Sequence, residues 1–146
     1  MADLRNLYQE VIFDHNRHPR NFGRIESSNR TAEGHNPLCG DKVKLYLKVE
    51  DGVIADAAFE GSGCAISTAS ASLMTEALKG ASVADAERLF TGFRDMVTGP
   101  GGHCGLGKLE VLCGVRDFPA RVKCATLPWH TLRAALAQNE EPVTTE

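Results

Sequence analysis

From residue 42 to residue 49 the chain alternates: Val43, Leu45, Leu47 and Val49 are interleaved with Lys42, Lys44, Tyr46 and Lys48. A period of two puts the apolar set on one face of a β-strand and the polar set on the other. Asp51-Gly52 follows, a pair suited to a two-residue hairpin turn, so Val53 to Glu60 is predicted to return as a second strand. Thr31 to His35 is long enough to add a shorter third strand. The lysine row reads as the solvated face of this sheet, with a docking face for an acidic partner as the alternative.

Elsewhere the apolar positions recur at helical spacing. Leu4, Leu7, Tyr8, Val11 and Ile12 share one face of a helix that must stop before Pro19. His15 and His18 at its end read as capping or surface side chains, suited to the negative pole of the helix dipole. From Asn16 to Arg30 the chain is an irregular crossing rich in Asn, Arg and Ser. A helix is predicted from Ala65 to about Lys79, with Ile66, Ala69, Leu73, Ala77 and Leu78 on its apolar face. Ser82 should cap the next helix, to Met96, with Val83, Ala86, Leu89, Phe90 and Phe93 inward. A glycine-rich loop from Gly99 to Gly107 follows, in which His103-Cys104 reads as solvent-exposed, and Cys113 reads as a core residue. Leu127, Leu132, Ala135 and Leu136 mark a closing helix ending near Gln138. Pro128 is tolerable in its first turn, which would put Cys124 just before the helix N-terminus.

Composition narrows the class. A chain of 146 residues, 42% hydrophobic and 24% charged, has enough core for one soluble domain without staples. A net charge of -3, with no lysine- or arginine-rich run, argues against nucleic acid as a partner. No apolar stretch approaches a membrane span, and the start has no secretory pattern, so a cytoplasmic location is expected. The five cysteines, at 39, 64, 104, 113 and 124, include no C-x-x-C pair. Reduced thiols of this kind point to metal binding or catalysis rather than a disulfide framework.

Three of these thiols stand at turns. In Asn36-Pro37-Leu38-Cys39-Gly40-Asp41, proline stiffens the loop, and Gly40 lets it turn tightly enough to bring the Cys39 sulfur and the Asp41 carboxylate towards one point. A soft and a hard ligand converging there would suit a divalent metal; the alternative is a polar turn with a half-buried free cysteine. Gly61-Ser62-Gly63-Cys64 places a thiol at a predicted helix N-terminus, where unpaired amides and the dipole favour the thiolate. Arg121 and Lys123 bring positive charge close to Cys124, to the same effect.

The segments Asn36–Asp41, Gly61-Ser62-Gly63-Cys64-Ala65-Ile66-Ser67 and Lys123-Cys124-Ala125-Thr126-Leu127 resemble, in order, the three cysteine motifs of the U-type iron–sulfur cluster assembly family, the IscU, NifU N-terminal and SufU group. His18-Pro19-Arg20-Asn21-Phe22-Gly23 is similar too. Lys123 stands where IscU-type members carry a histidine, and the segment at about 92–116 resembles an insertion of SufU-like members, so the chain looks most like that branch. The resemblance implies an α+β, SufE/NifU-like fold: a small antiparallel three-stranded sheet with helices packed on one face. It implies a single domain over 1–138 and leaves 139–146 as a disordered polar tail. It also implies a Zn2+ site made by Cys39, Asp41, Cys64 and Cys124, with [2Fe-2S] or iron as a transient occupant.

SufU-like proteins are understood to accept persulfide sulfur from a SufS-type cysteine desulfurase, a histidine of which takes a zinc position and releases one thiolate. By that similarity Cys39 is the expected acceptor and Cys124 the runner-up. Asp41 is the ligand that tunes release, and Arg121 steadies the charge of the site. Downstream iron–sulfur assembly proteins are the further partners. The alternatives are a scaffold that builds a [2Fe-2S] cluster on Cys39, Cys64 and Cys124, and a purely structural zinc.

Overall fold

The computed structural model describes residues 2–37, 40–98, 107–137 and 143–144. In chain order these form α1 (Ala2–Arg17), β1 (Arg30–Asn36), β2 (Asp41–Glu50), β3 (Val53–Ser62), α2 (Ala65–Leu78) and α3 (Val83–Thr98). A 3-10 segment (Gly107–Asp117), α4 (Pro119–Leu136) and β4 (Val143–Thr144) complete the order. Expectations for Cys39 and for His103-Cys104 lie outside the described residues, and so does the Cys113 side chain.

The sheet runs in the order β3-β2-β1-β4. β1, β2 and β3 are antiparallel, with Leu45 opposite both Ala32 and Phe59. Asp51 and Gly52 both have positive φ, 52° and 76°, the mirror-image turn whose twist matches that of its flanking strands. Ala32, Val43, Leu45, Leu47, Ala57 and Phe59 form the buried row facing the helices. Each fully buried leucine there contributes about 1.5–3 kcal/mol relative to exposure. The opposite row is less wet than the lysine alternation suggests. Tyr46 is buried on it, because its hydroxyl donates to Glu60 and Lys44 lies over its ring.

Two differences from the sequence reading concern the sheet edges. Val143–Thr144, in the segment expected to be a disordered tail, pairs in parallel with Gly34 and His35, so the sheet has a fourth strand. A free β1 edge presents unpaired backbone donors and acceptors, and pairing satisfies them. At the other edge the irregular crossing docks on β3: Gly23 N donates to Phe59 O and Phe59 N to Asn21 O.

Helices α2 and α4 pack on the inner face of the sheet, α1 lies against α2, and α3 against α4. Enclosed in this way, α2 is buried on almost every side rather than along one stripe. Its small polar residues are satisfied internally: Ser70 Oγ donates to Ala125 O at 2.6 Å and accepts from Trp129 Nε1 at 3.1 Å. Trp129 in turn stacks on Phe93, with ring centroids 4.7 Å apart. Ser82 Oγ accepts from Asp85 N at 3.0 Å, the expected cap of α3.

His15 departs from its expected surface role. It is 1% exposed, pinned between α1 and α2 with Nδ1 2.6 Å from Ser72 Oγ. Residue 15 continues the α1 apolar spacing, four from Val11 and three from Ile12; the surface expectation came from its residue type and its place at the helix end, and the packing of α2 against α1 buries the ring.

Candidate metal centre

Three segments of chain converge at one end of the sheet. Asn36, the last residue of β1, is paired with Asp41, the first of β2, and both are fully buried. Gly40 adopts φ +74°, the left-handed conformation a glycine takes at no steric cost, and its N–H donates to Asn36 O at 2.8 Å. The reversal therefore delivers the Asp41 carboxylate inward, as the glycine in that motif suggested.

Cys64 follows β3 and caps α2. Its backbone N–H donates to Asp41 Oδ1 at 2.8 Å, and its Sγ accepts from Ser67 N at 3.4 Å. The sulfur thus sits among the unpaired amides of a helix start, as predicted. Asp41 Oδ2 is turned towards that sulfur at 3.9 Å. Gly63 makes room for this approach, since a Cβ there would stand 2.6 Å from Asp41 Oδ1.

Cys124 reaches the site differently from the sequence reading. It lies inside α4, which begins at Pro119 and carries Pro128 in its interior, rather than ahead of a helix that starts near Pro128. Pro119 at the first turn is well tolerated, while Pro128 has no N–H to give the Cys124 carbonyl one turn back. Burial of the α4 apolar face outweighs that missing bond. The Cys124 side chain is fully buried, with Sγ 3.8 Å from Asn36 Nδ2 and 3.5 Å from Ala120 O. Arg121 is exposed one turn earlier on the same helix face, and Lys123 is half-buried.

The ligand atoms of Asp41, Cys64 and Cys124 all lie within 4.8 Å of one another. Two thiols and one carboxylate are donors that zinc takes. In a tetrahedron with Zn–S bonds of about 2.3 Å the sulfurs stand about 3.8 Å apart, so the trio would close by no more than about 1 Å. The donor set fits the metal. Of the residues expected at the site, the structure brings together Asp41, Cys64 and Cys124, with Arg121 one turn away from the last. Cys39, between the described Pro37 and Gly40, lies outside the described residues. Sequence reasoning gave Asn36 and Gly63 only backbone roles in their turns; the fold shows one facing a sulfur and the other a carboxylate.

A family model for the NifU-like N terminal domain matches residues 7–141. The chain belongs to that family of iron–sulfur cluster assembly proteins. Among curated relatives it is 44% identical to a zinc-dependent sulfurtransferase SufU of Bacillus subtilis over 141 residues, covering 95% of each chain. It is 39% identical to an iron–sulfur cluster assembly scaffold protein IscU of Streptococcus pyogenes, covering 95% of this chain and 88% of that one. A crystal structure of a putative iron–sulfur cluster assembly scaffold protein for the SUF system from Fervidobacterium islandicum superposes with a TM-score of 0.82. That match has 37% identity and covers 87% of this chain and 94% of that one. The expected α+β architecture, helices over one face of an antiparallel sheet, is the one found. Among the described residues no helix is long and apolar enough to cross a membrane.

Proposed function

We propose that this chain is a zinc-dependent acceptor of persulfide sulfur, working in the cytoplasm with a SufS-type cysteine desulfurase and handing sulfur on to iron–sulfur assembly proteins. The observation that carries the reading is the convergence of the buried Asp41 and Cys124 with the half-buried Cys64, drawn from three elements to one point. The likeness to a zinc-dependent sulfurtransferase over nearly the whole of both chains supports it. Asp41, Cys64 and Cys124, with Cys39 as fourth ligand, would hold the metal. Bound zinc keeps thiolates deprotonated and protected while leaving them nucleophilic.

The chemistry required of the protein is one exchange between sulfurs. The acceptor thiolate, assigned to Cys39 with Cys124 as runner-up, attacks the outer sulfur of the desulfurase persulfide. A new S–S bond forms on the acceptor, the old one breaks, and the desulfurase cysteine leaves as thiolate. No net oxidation occurs. Asp41, a hard ligand among soft ones, is the one suited to exchange. Arg121, exposed near the site, would offset its negative charge.

Metal analysis of the purified protein, followed by desulfurase turnover with and without it, tests this. One zinc per chain and a large rise in alanine production, lost in Cys39→Ser, is the expected result. Likeness to the Streptococcus scaffold favours a second reading, assembly of a [2Fe-2S] cluster on the same cysteines. Iron with acid-labile sulfide and no stimulation of turnover would sink the transfer reading in favour of that one.

A further inference from the structure

Asn36 is 0% exposed, yet its side chain is a primary amide, a group that costs free energy to bury unless it is hydrogen-bonded. Its backbone is fixed twice: it is paired with Asp41 across the β1–β2 ladder, and its carbonyl accepts from Gly40 N. With the main chain held, the side chain is directed inward, and Nδ2 stands 3.8 Å from Cys124 Sγ, within reach of an N–H···S hydrogen bond. Cys124 arrives from a helix 88 residues further along the chain, so this contact adds a polar tie between β1 and the α4 helix packed against it. An amide nitrogen does not compete as a ligand; it can only donate. At a site whose donors are two thiols and a carboxylate, an N–H aimed at one sulfur withdraws charge from it and fixes its direction.

We propose that Asn36 is a positioning residue of the metal centre, holding the Cys124 sulfur towards Asp41 and Cys64 through its side-chain N–H. The inference rests on the reading of this site as a metal centre. Groups that orient a ligand in this way alter metal affinity by about 10–100-fold when removed. They also alter the electronic character of the metal–sulfur bond, which a residue that merely fills space does not.

The test uses the full chain with Asn36→Leu, which keeps the volume without the donor, and Asn36→Ala, which cannot overpack if leucine disturbs the fold. Each is titrated with Zn2+ in competition with a chromophoric chelator, then with Co2+, and melted without metal. The expected result is a loss of about 10–100-fold in Zn2+ affinity in both variants. A shift of the sulfur-to-cobalt charge-transfer band to longer wavelength should accompany it, with metal-free melting little changed. Unchanged affinity and an unmoved band in a wild-type protein that does bind metal would overturn the role of Asn36 alone. An affinity loss that only tracks a lowered melting temperature, with the band unmoved, would overturn it as well. A wild-type chain that takes up neither ion would instead defeat the metal reading of the site, and this inference with it.

Discussion

Gly63 meets Asp41 at a distance that admits no side chain. Its φ lies outside the left-handed region, so alanine there costs no backbone strain, and the whole effect falls on the carboxylate 2.6 Å from the added Cβ. Gly63→Ala is therefore expected to displace Asp41 and weaken zinc binding about tenfold or more, while the fold stays near wild-type stability. Zinc titration in parallel with thermal melting checks this; wild-type affinity in the variant would show that the carboxylate position does not matter. His15 supplies a second prediction at this scale. Burial, and after it the Arg20 cation, hold its imidazole below the ordinary value of 6.5, with Glu76 opposing and Lys108 adding to the effect. Ser72 Oγ already accepts from Arg20 N, so its hydroxyl proton is free to serve His15 Nδ1, and protonating the ring would disrupt that arrangement. The unfolded chain then binds more protons than the folded one below pH 6.5. Stability is full above that value and falls as the pH drops through the lower folded value. His130, half-buried and close to Arg133 and Arg94, is shifted in the same direction, by burial first and then by those cations. Between about pH 7.5 and about pH 5.5 the wild type should lose more stability than His15→Gln, as read by urea melts; equal losses would clear His15 of the effect.

At the scale of elements, the site depends on how β1 and α4 lie together. Gly34 faces α4 so closely that a Cβ would stand 2.3 Å from Thr131 Oγ1 and 3.0 Å from Leu127 Cδ1. Gly34→Ala should force the helix from the strand at a cost of about 1–3 kcal/mol, and adding Thr131→Ala should return part of it. A double variant no more stable than Gly34→Ala would show that the clash lies elsewhere. The same pair of elements carries Asn36 and Cys124, so strand and helix share the work of holding one sulfur. The α4 boundary is where the sequence was hardest to read. Pro128 marks a helix start when taken alone, but the fold extends α4 back to Pro119. Tertiary packing of Cys124, Leu127 and Leu132 outweighs the local penalty of an interior proline. The start of α2 was legible because its signal is local: Cys64 follows two glycines and caps the helix with its own sulfur.

For the whole molecule, a metal at this point would tie together the β1–β2 turn, the start of α2 and the interior of α4. Ligands that bind only the folded state stabilise it by mass action, about 4.1 kcal/mol when free ligand exceeds Kd a thousandfold. For a chain of this size each kcal/mol moves the melting temperature by about 2–4 °C. Removing zinc with a strong chelator should accordingly lower the melting temperature by several degrees and leave the hydrophobic core able to fold. A zinc-loaded protein whose melting ignores the chelator would mean the ion does not bridge these elements.

The sequence by itself determined what rests on periodicity and local chemistry. The alternation from Val43 to Val49 set a strand with one buried face, Asp51-Gly52 its turn, and the order of three cysteine motifs the family. Each of these is encoded within a few adjacent residues. The tertiary structure decided what depends on residues far apart in the chain. It buried His15 against Ser72, closed the sheet edge with Val143–Thr144, and enclosed α2 on nearly every side. It also set Asn36 against Cys124 across 88 positions. No local pattern names those partners, because a contact belongs to the pair of surfaces that meet, and the surfaces exist only once the chain has folded.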